Sequence, residues 1–208
     1  MIDIHSHILP GVDDGSKNLD ESLGLLKLLA EQGVTHSIAT PHFYADCDTP
    51  ERFFIRREDA WQKLHPALTP ELPSVSLGAE IYYYRGISQM EQLRQFCIEN
   101  SNFLLLEMPF YQWPESIWET LYRLLERRDI RIVLAHADRY PPEDIERLIE
   151  DGVPLQLNAE CLTKPLRRRR YLSWIESGAV QYLGSDIHML GKGYRDFEKC
   201  RSLLEKRG

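Results

Sequence analysis

No stretch of the 208-residue sequence approaches the roughly 20 consecutive apolar residues of a membrane span, so no transmembrane helix is expected. The opening Met1-Ile2-Asp3-Ile4-His5 lacks the basic-then-apolar order of a secretory leader, and no signal peptide is expected. Cysteine is sparse, and Cys47, Cys97, Cys161 and Cys200 never form a Cys-x-x-Cys pair. That argues against a zinc ribbon or a dithiol redox motif and suits reduced thiols in a cytoplasm. Basic residues are outnumbered, 25 Lys and Arg against 32 Asp and Glu, for a net charge of −7. A general nucleic-acid binder would carry the opposite balance. There is no Ser/Gly-rich linker, composition break or internal repeat, so residues 1–208 are expected to form one domain.

What the sequence does hold is an alternation of short β-rich runs with longer helical patterns. Strands are expected at 2–5, 35–39, 74–80, 103–107, 131–135, 155–158 and 180–184. Between them, apolar residues at three- and four-residue spacing predict helices at 19–32, from Pro50 onward, at 88–99, 115–128, 142–151, 165–177 and 194–206. Asn18 with Glu21, and Ser88 with Glu91, have capping-box spacing, and Gly33 closes the first helix. Strand–helix alternation of this kind implies right-handed crossovers and a parallel sheet, either open or closed into a barrel.

The positions of the polar residues favour closure. His5 and His7 follow the first strand, with Asp13 and Asp14 just beyond. His42 follows the second, Glu80 ends the third, Glu107 the fourth, His136 the fifth and Asn158 the sixth, while Asp186 and His188 follow the seventh. A barrel brings all of these strand ends to one mouth, whereas an open sheet would part the first from the last. His5 with His7, and Asp186 with His188, are i, i+2 pairs and share a face. Glu80 and Glu107 end apolar strands, where a carboxylate is costly unless a cation answers it. The donor set is imidazole and carboxylate without thiolate, suited to manganese, iron or zinc, and it exceeds the need of one tetrahedral ion. Two or three ions are expected, able to lower the pKa of a shared water. The run Arg167 to Arg170 reads as a solvated helix face. Tyr82-Tyr83-Tyr84, and Phe110, Tyr111 and Trp113, are either packing residues or the wall of a pocket for an aromatic substrate.

The stretch Met1 to Gly15, with His5-Ser6-His7 and Val12-Asp13-Asp14-Gly15, resembles the opening of the polymerase and histidinol phosphatase (PHP) superfamily. More narrowly it resembles the bacterial capsule-associated tyrosine-protein phosphatases of the CpsB/YwqE type. The likeness continues through Thr40-Pro41-His42, Gly78-Ala79-Glu80, Leu106-Glu107, His136-Ala137-Asp138-Arg139-Tyr140, Gln156-Leu157-Asn158 and Gly184-Ser185-Asp186-Ile187-His188. The resemblance implies a distorted (β/α)7 barrel, the PHP fold, holding up to three ions, commonly manganese. It implies that His5, His7, Glu107 and Asp186 surround one ion. Glu80, Glu107 and His136 would hold a second, and Asp14, His42 and His188 a third. Arg139 would bind the substrate phosphate, with Arg195 as a second phosphate ligand. The loop Gly191-Lys192-Gly193 departs from the family pattern there, and the region between His42 and Glu80 is the least family-like.

The activity implied is hydrolysis of phosphotyrosine in protein, with His42 or His136 assisting proton transfer. By the same resemblance the substrate is the Tyr-rich tail of a bacterial tyrosine autokinase controlling exopolysaccharide synthesis. A small-molecule phosphatase such as one acting on histidinol phosphate, a phosphodiesterase and a non-catalytic metal-binding module are the alternatives. A cysteine-based mechanism is not expected.

Overall fold

The computed structural model describes residues 1–191 and 195–206. Every strand pairing in it is parallel. The first sheet runs β1 (Ile2–Ser6), β2 (His36–Ala39), β4 (Ser74–Leu77); the second runs β3 (His42–Phe43), β5 (Glu80–Tyr82), β6 (Phe103–Glu107), β7 (Arg131–Leu134), β8 (Leu155–Asn158), β9 (Val180–Gly184). β2 continues into β3 across Thr40-Pro41, and β4 into β5 across Gly78-Ala79. Pro41 has no N–H to give a ladder, but backbone bonds bridge the break: Gly78 N–H to Ala39 O (2.8 Å) and Glu80 N–H to Pro41 O (3.1 Å). The seven expected strands are therefore present; the one expected at 74–80 is interrupted, and the one expected at 35–39 gains a short continuation, β3.

The expected closure is incomplete. β1 meets the end of β9 through one bridge, Ser6 to Ile187, and two backbone bonds, Asp186 N–H to His5 O (2.9 Å) and His7 N–H to Ile187 O (3.0 Å). Asp3 stitches the rest of this seam. Its carboxylate accepts Ser185 N–H (2.8 Å), the Ser185 hydroxyl (2.6 Å) and His5 N–H (3.2 Å).

Alternation along the strands sorts the side chains into layers. On β6, Leu104 and Leu106 pack outward against the helices, while Leu105 joins Ile4, Ile38, Val133 and Ala135 in a smaller interior cluster with Phe103 against it. Glu107, two residues beyond Leu105, falls on the same inward face at the strand end. On β8, Leu155 and Leu157 go outward, and Gln156 and Asn158 inward. The interior is thus apolar below and polar at the mouth.

Helices α1 (Leu19–Glu31), α2 (Pro50–Leu64), α4 (Glu115–Leu125), α5 (Pro142–Glu150), α7 (Pro165–Glu176) and α8 (Asp196–Glu205) correspond to expected ones. Asn18 caps α1 through Glu21 N–H (3.0 Å), but the Glu21 carboxylate turns to Lys17 N–H (2.9 Å) instead of closing the box. The helix expected at 88–99 is absent; only a 3-10 turn (Ile87–Gln89) and the single turn α3 (Leu93–Phe96) form. The reason is competition for carbonyls: Arg127 Nη1 takes Met90 O (2.8 Å) and Ser88 O (3.4 Å), acceptors a helix would have used. A short helix not expected, α6 (Ala159–Thr163), follows β8. Lys192, Gly193 and Tyr194, which include most of the divergent loop and the expected start of the last helix, lie outside the described residues. Among the described residues no helix is long and apolar enough to cross a membrane.

Candidate metal centre

All nine expected ligands converge on the mouth. Glu80 sits at the centre, fully buried at the start of β5. Its Oε2 lies 3.0 Å from His5 Nε2, 3.4 Å from His7 Nε2 and 3.0 Å from His42 Nδ1, and its Oε1 lies 2.8 Å from His136 Nε2. Asp186 Oδ1 is 3.7 Å from His5 Nε2, 3.5 Å from His7 Nε2 and 3.6 Å from His188 Nδ1. Asp14 Oδ1 faces His42 Nε2 (3.7 Å) and His188 Nε2 (3.5 Å). Glu107 Oε2 lies 3.9 Å from His42 Nδ1. By proximity the donors fall into overlapping sets: His7, Asp14, His42, His188; His5, His136, Asp186; His5, His7, Glu80; and His42, Glu80, Glu107.

Two of these candidate ligands depend on unusual backbone. Alternation from Val133 and Ala135 would turn His136 outward, but His136 has φ 52° and is turned back into the mouth. Asp186 does the same after β9 with φ 53°. Each left-handed residue costs roughly 1–3 kcal/mol and persists only where its surroundings enforce it. Here His136 N–H is fixed by Gln156 Oε1 (3.0 Å) and Asp186 N–H by His5 O.

Outer partners aim the imidazoles. His5 Nδ1 contacts Gln156 Oε1 (3.1 Å), His7 Nδ1 contacts Asp13 Oδ2 (2.7 Å), His136 Nδ1 contacts Asn158 Oδ1 (3.0 Å) and His188 Nδ1 contacts Asp186 O (2.8 Å). With each Nδ1–H donating outward, each Nε2 lone pair is left facing the cluster. His42 differs, because both of its ring nitrogens face carboxylates of the cluster. Asp13 also accepts His42 N–H (2.9 Å), so it positions the ring by its backbone.

The electrostatics are those of a site short of positive charge. Burial lowers His5 and His7, yet Glu80 with Asp186, and Asp13 with Glu80, more than offset this and hold both imidazoles above the usual value. Burial alone would raise Glu80, but His5 and His136 hold it well below the carboxylate range. Burial, reinforced by the Glu80 charge, pushes Glu107 up to about 8. Burial, outweighing the pull of Glu80, brings His42 down to about 4. Arg139 Nη2 reaches Asp186 Oδ2 at 2.5 Å, supplying one fixed cation at the rim.

Divalent ions fit this donor set. Both Glu80 oxygens, Glu107 Oε2 and His42 Nδ1 are buried without a hydrogen-bond partner. Such atoms are costly to strand; they share one polar space, where Glu80 Oε2 and Glu107 Oε2 lie 3.0 Å and 3.9 Å from His42 Nδ1 without forming a hydrogen bond to it. Nitrogen and carboxylate oxygen are the donors that manganese, iron and zinc share.

Other expected residues lie elsewhere. Arg195 pairs with Glu31 on α1 (2.9 Å). Arg167, Arg169 and Arg170 are exposed on α7. Cys161 and Arg167 do have Cys-x5-Arg spacing, but Cys161 is buried within α6 and burial pushes its thiol far up. They form no phosphate loop. Asp3 and Gln156, which no ligand pattern singles out, carry the support with Asp13; the signal available for those two was their i, i+2 spacing to His5 and Asn158 and the polar residue buried inside an apolar strand.

The family described as "Capsular polysaccharide synthesis, CpsB/CapC" matches residues 1–208. The tyrosine-protein phosphatase YwqE of Bacillus subtilis (strain 168) is 30% identical over 218 residues, covering 99% of this chain and 84% of YwqE. The tyrosine-protein phosphatase CpsB of Streptococcus pneumoniae is 29% identical over 222 residues, covering 100% and 90%. A solved structure from work on YwqE from Bacillus subtilis and CpsB from Streptococcus pneumoniae, described there as unique metal-dependent tyrosine phosphatases, superposes with a TM-score of 0.80. It shares 25% identity and covers 99% of this chain and 87% of its own.

Proposed function

Because this chain belongs to the CpsB/CapC capsular polysaccharide synthesis family, we propose that it is a metal-dependent protein-tyrosine phosphatase whose residues 1–208 act as one catalytic domain. The observation that carries the reading is the set of stranded donor atoms on Glu80, Glu107 and His42 at the centre of five imidazoles, with Arg139 at the rim.

His5, His7, Asp14, His42, Glu80, Glu107, His136, Asp186 and His188 are the residues that would hold the ions, with Glu80 or Glu107 shared between neighbours. Manganese is the ion we favour. Ions in such a site supply Lewis-acid activation of water and of phosphate oxygens. The chain's own groups do the rest. Arg139 turns from Asp186 to the phosphoryl oxygens, where a guanidinium offers two parallel donors. The low dielectric of the mouth strengthens that contact as charge grows on the leaving phenolate. A tyrosyl phenol, with a pKa of about 10, leaves more readily than an alkyl alcohol. His42 or His136 would assist proton transfer only through a ring nitrogen not committed to an ion. Arg195 would reach phosphate only after leaving Glu31.

The substrate we propose is the Tyr-rich tail of a tyrosine autokinase of capsule or exopolysaccharide synthesis; the family's description supports the tie to capsular polysaccharide synthesis. Unpaired thiols at all four cysteines suit the cytoplasm. The test compares turnover of a phosphotyrosine peptide, histidinol phosphate and a phosphodiester with manganese. Preference for the peptide by at least about tenfold, and its loss in Arg139→Ala with metal retained, is the expected result. Preference for either other substrate would overturn the reading.

A further inference from the structure

We propose that Tyr44, Tyr82 and Phe110 form an aromatic wall that holds the substrate's aryl ring and makes the site selective for aryl over alkyl phosphate. The inference rests on the phosphatase reading and assigns its specificity to residues outside the ligand cluster.

A polar, charge-rich mouth is an unfavourable place to leave large rings uncovered, yet Tyr44, Phe110 and Tyr111 are 37%, 50% and 59% exposed. They are not packing residues left over at the surface. The packing in this region is done by Tyr140, Trp113 and Trp118, each at most 5% exposed. Tyr44 and Phe110 instead border the ligands on two sides. Tyr44 lies 5.0 Å from the His42 ring and 5.7 Å from the Tyr82 ring. Phe110 lies 6.4 Å from the His136 ring, and the Arg139 guanidinium sits 5.9 Å from its centre. Tyr82 is the register partner of Glu107, so it stands beside the cluster between these two sides.

The wall is built in advance. Phe110 stacks on buried Tyr140 at 5.5 Å. The segment carrying Phe110 and Tyr111 is pinned at both ends, by Met108 N–H to the Tyr140 hydroxyl (2.9 Å) and by Trp113 Nε1 to Pro109 O (2.8 Å). In an aryl phosphate the ring is joined to phosphorus through a single oxygen. A phosphoryl group held between the cluster and Arg139 therefore leaves its ring at the rim, against these side chains. Offset or edge contacts between rings favour such an occupant over an alkyl chain by an amount that area alone does not supply.

The test uses non-hydrolysable probes. Manganese-loaded protein is titrated calorimetrically with benzylphosphonate and with methylphosphonate, and the metal content of each variant is measured. Phe110→Leu and Tyr44→Leu should each weaken benzylphosphonate by about 3- to 10-fold while moving methylphosphonate by less than about 2-fold, and Tyr44→Phe should keep the wild-type preference. Equal weakening of both probes, or no change in either, would overturn the wall. A failure of the phosphatase reading would look different: no turnover of phosphotyrosine by the wild type, while the titration still reports ring selectivity.

Discussion

Gln156 Oε1 lies 3.1 Å from His5 Nδ1, and the same oxygen accepts the backbone N–H of His136 at 3.0 Å. One amide thus orients the imidazole of one strand end and fixes the reversed backbone of another. Its Nε2 donates to Asn158 Oδ1 (3.0 Å), which settles which way the amide faces. Gln156→Leu preserves size but removes both functions. It should weaken manganese binding by about 10- to 100-fold, as loss of an outer partner does at other metal sites. Calorimetric titration of the metal-depleted protein measures this, and unchanged affinity would remove Gln156 from the site.

Metal uptake should depend on pH with a defined sign. Burial and the Glu80 charge raise Glu107 to about 8, so below that pH an ion must displace its proton. His5 and His7, held above their usual values, act in the same direction. Apparent affinity should therefore climb as pH rises through about 8, by up to about tenfold per pH unit for each proton displaced. Titrations in buffers of different ionisation enthalpy count the protons released, and an affinity flat across this range would contradict the assignment.

Gly184 is required by close approach. A Cβ there would lie 2.5 Å from His5 Cβ and 2.7 Å from Gln156 Nε2. Gly184→Ala should destabilise the protein by about 1–3 kcal/mol, as overpacking does, and should lower metal content because both displaced side chains serve the cluster. Urea denaturation with elemental analysis reads both effects.

Much of the site was legible because active-site residues of such a fold gather at the C-terminal ends of its strands, and His5, Glu107, His136 and Asp186 stand at or just past such ends, while His42 and Glu80 follow β2 and β4 and open the short continuations β3 and β5. The order of the strands followed from the same alternation. What was not legible is what depends on contacts remote in sequence. The seam at β1 and β9 closes through Asp3 and Ser185, which are 182 positions apart. Residues 88–99 carry a helical pattern but lose the Ser88 and Met90 carbonyls to Arg127, a competitor just past the end of α4. The inward turn of His136 violates strand alternation and needs φ 52° to achieve it. Spacing alone cannot foresee such a reversal.

Asp3 should reveal itself in the stability of the fold. Burial, opposed by the donors of Ser185 and His5, raises its carboxyl to about 6. An aspartate in the unfolded chain titrates at about 3.9. Between these values the native state holds more protons than the unfolded state, so Asp3's contribution to stability falls as pH rises from about 4 to about 6 and is constant beyond, a loss of about 3 kcal/mol at most. Asp3→Asn should flatten that slope relative to wild type. Asp3→Ala, which strands the Ser185 and His5 N–H groups, should cost about 2–4 kcal/mol at neutral pH. Denaturant melts of the three proteins across pH check both.

We hold that side chains from six of the seven strand positions converge to hold divalent ions around Glu80, with Asn158 at the sixth supporting His136. Elemental analysis of the purified wild type and Glu80→Ala, alongside phosphotyrosine-peptide hydrolysis with and without chelator, tests it most directly. We expect two or three divalent ions per wild-type chain, turnover abolished by chelator and restored by manganese, and loss of both metal and turnover in Glu80→Ala. A wild-type protein without stoichiometric metal, or one whose turnover survives the chelator, would contradict the account.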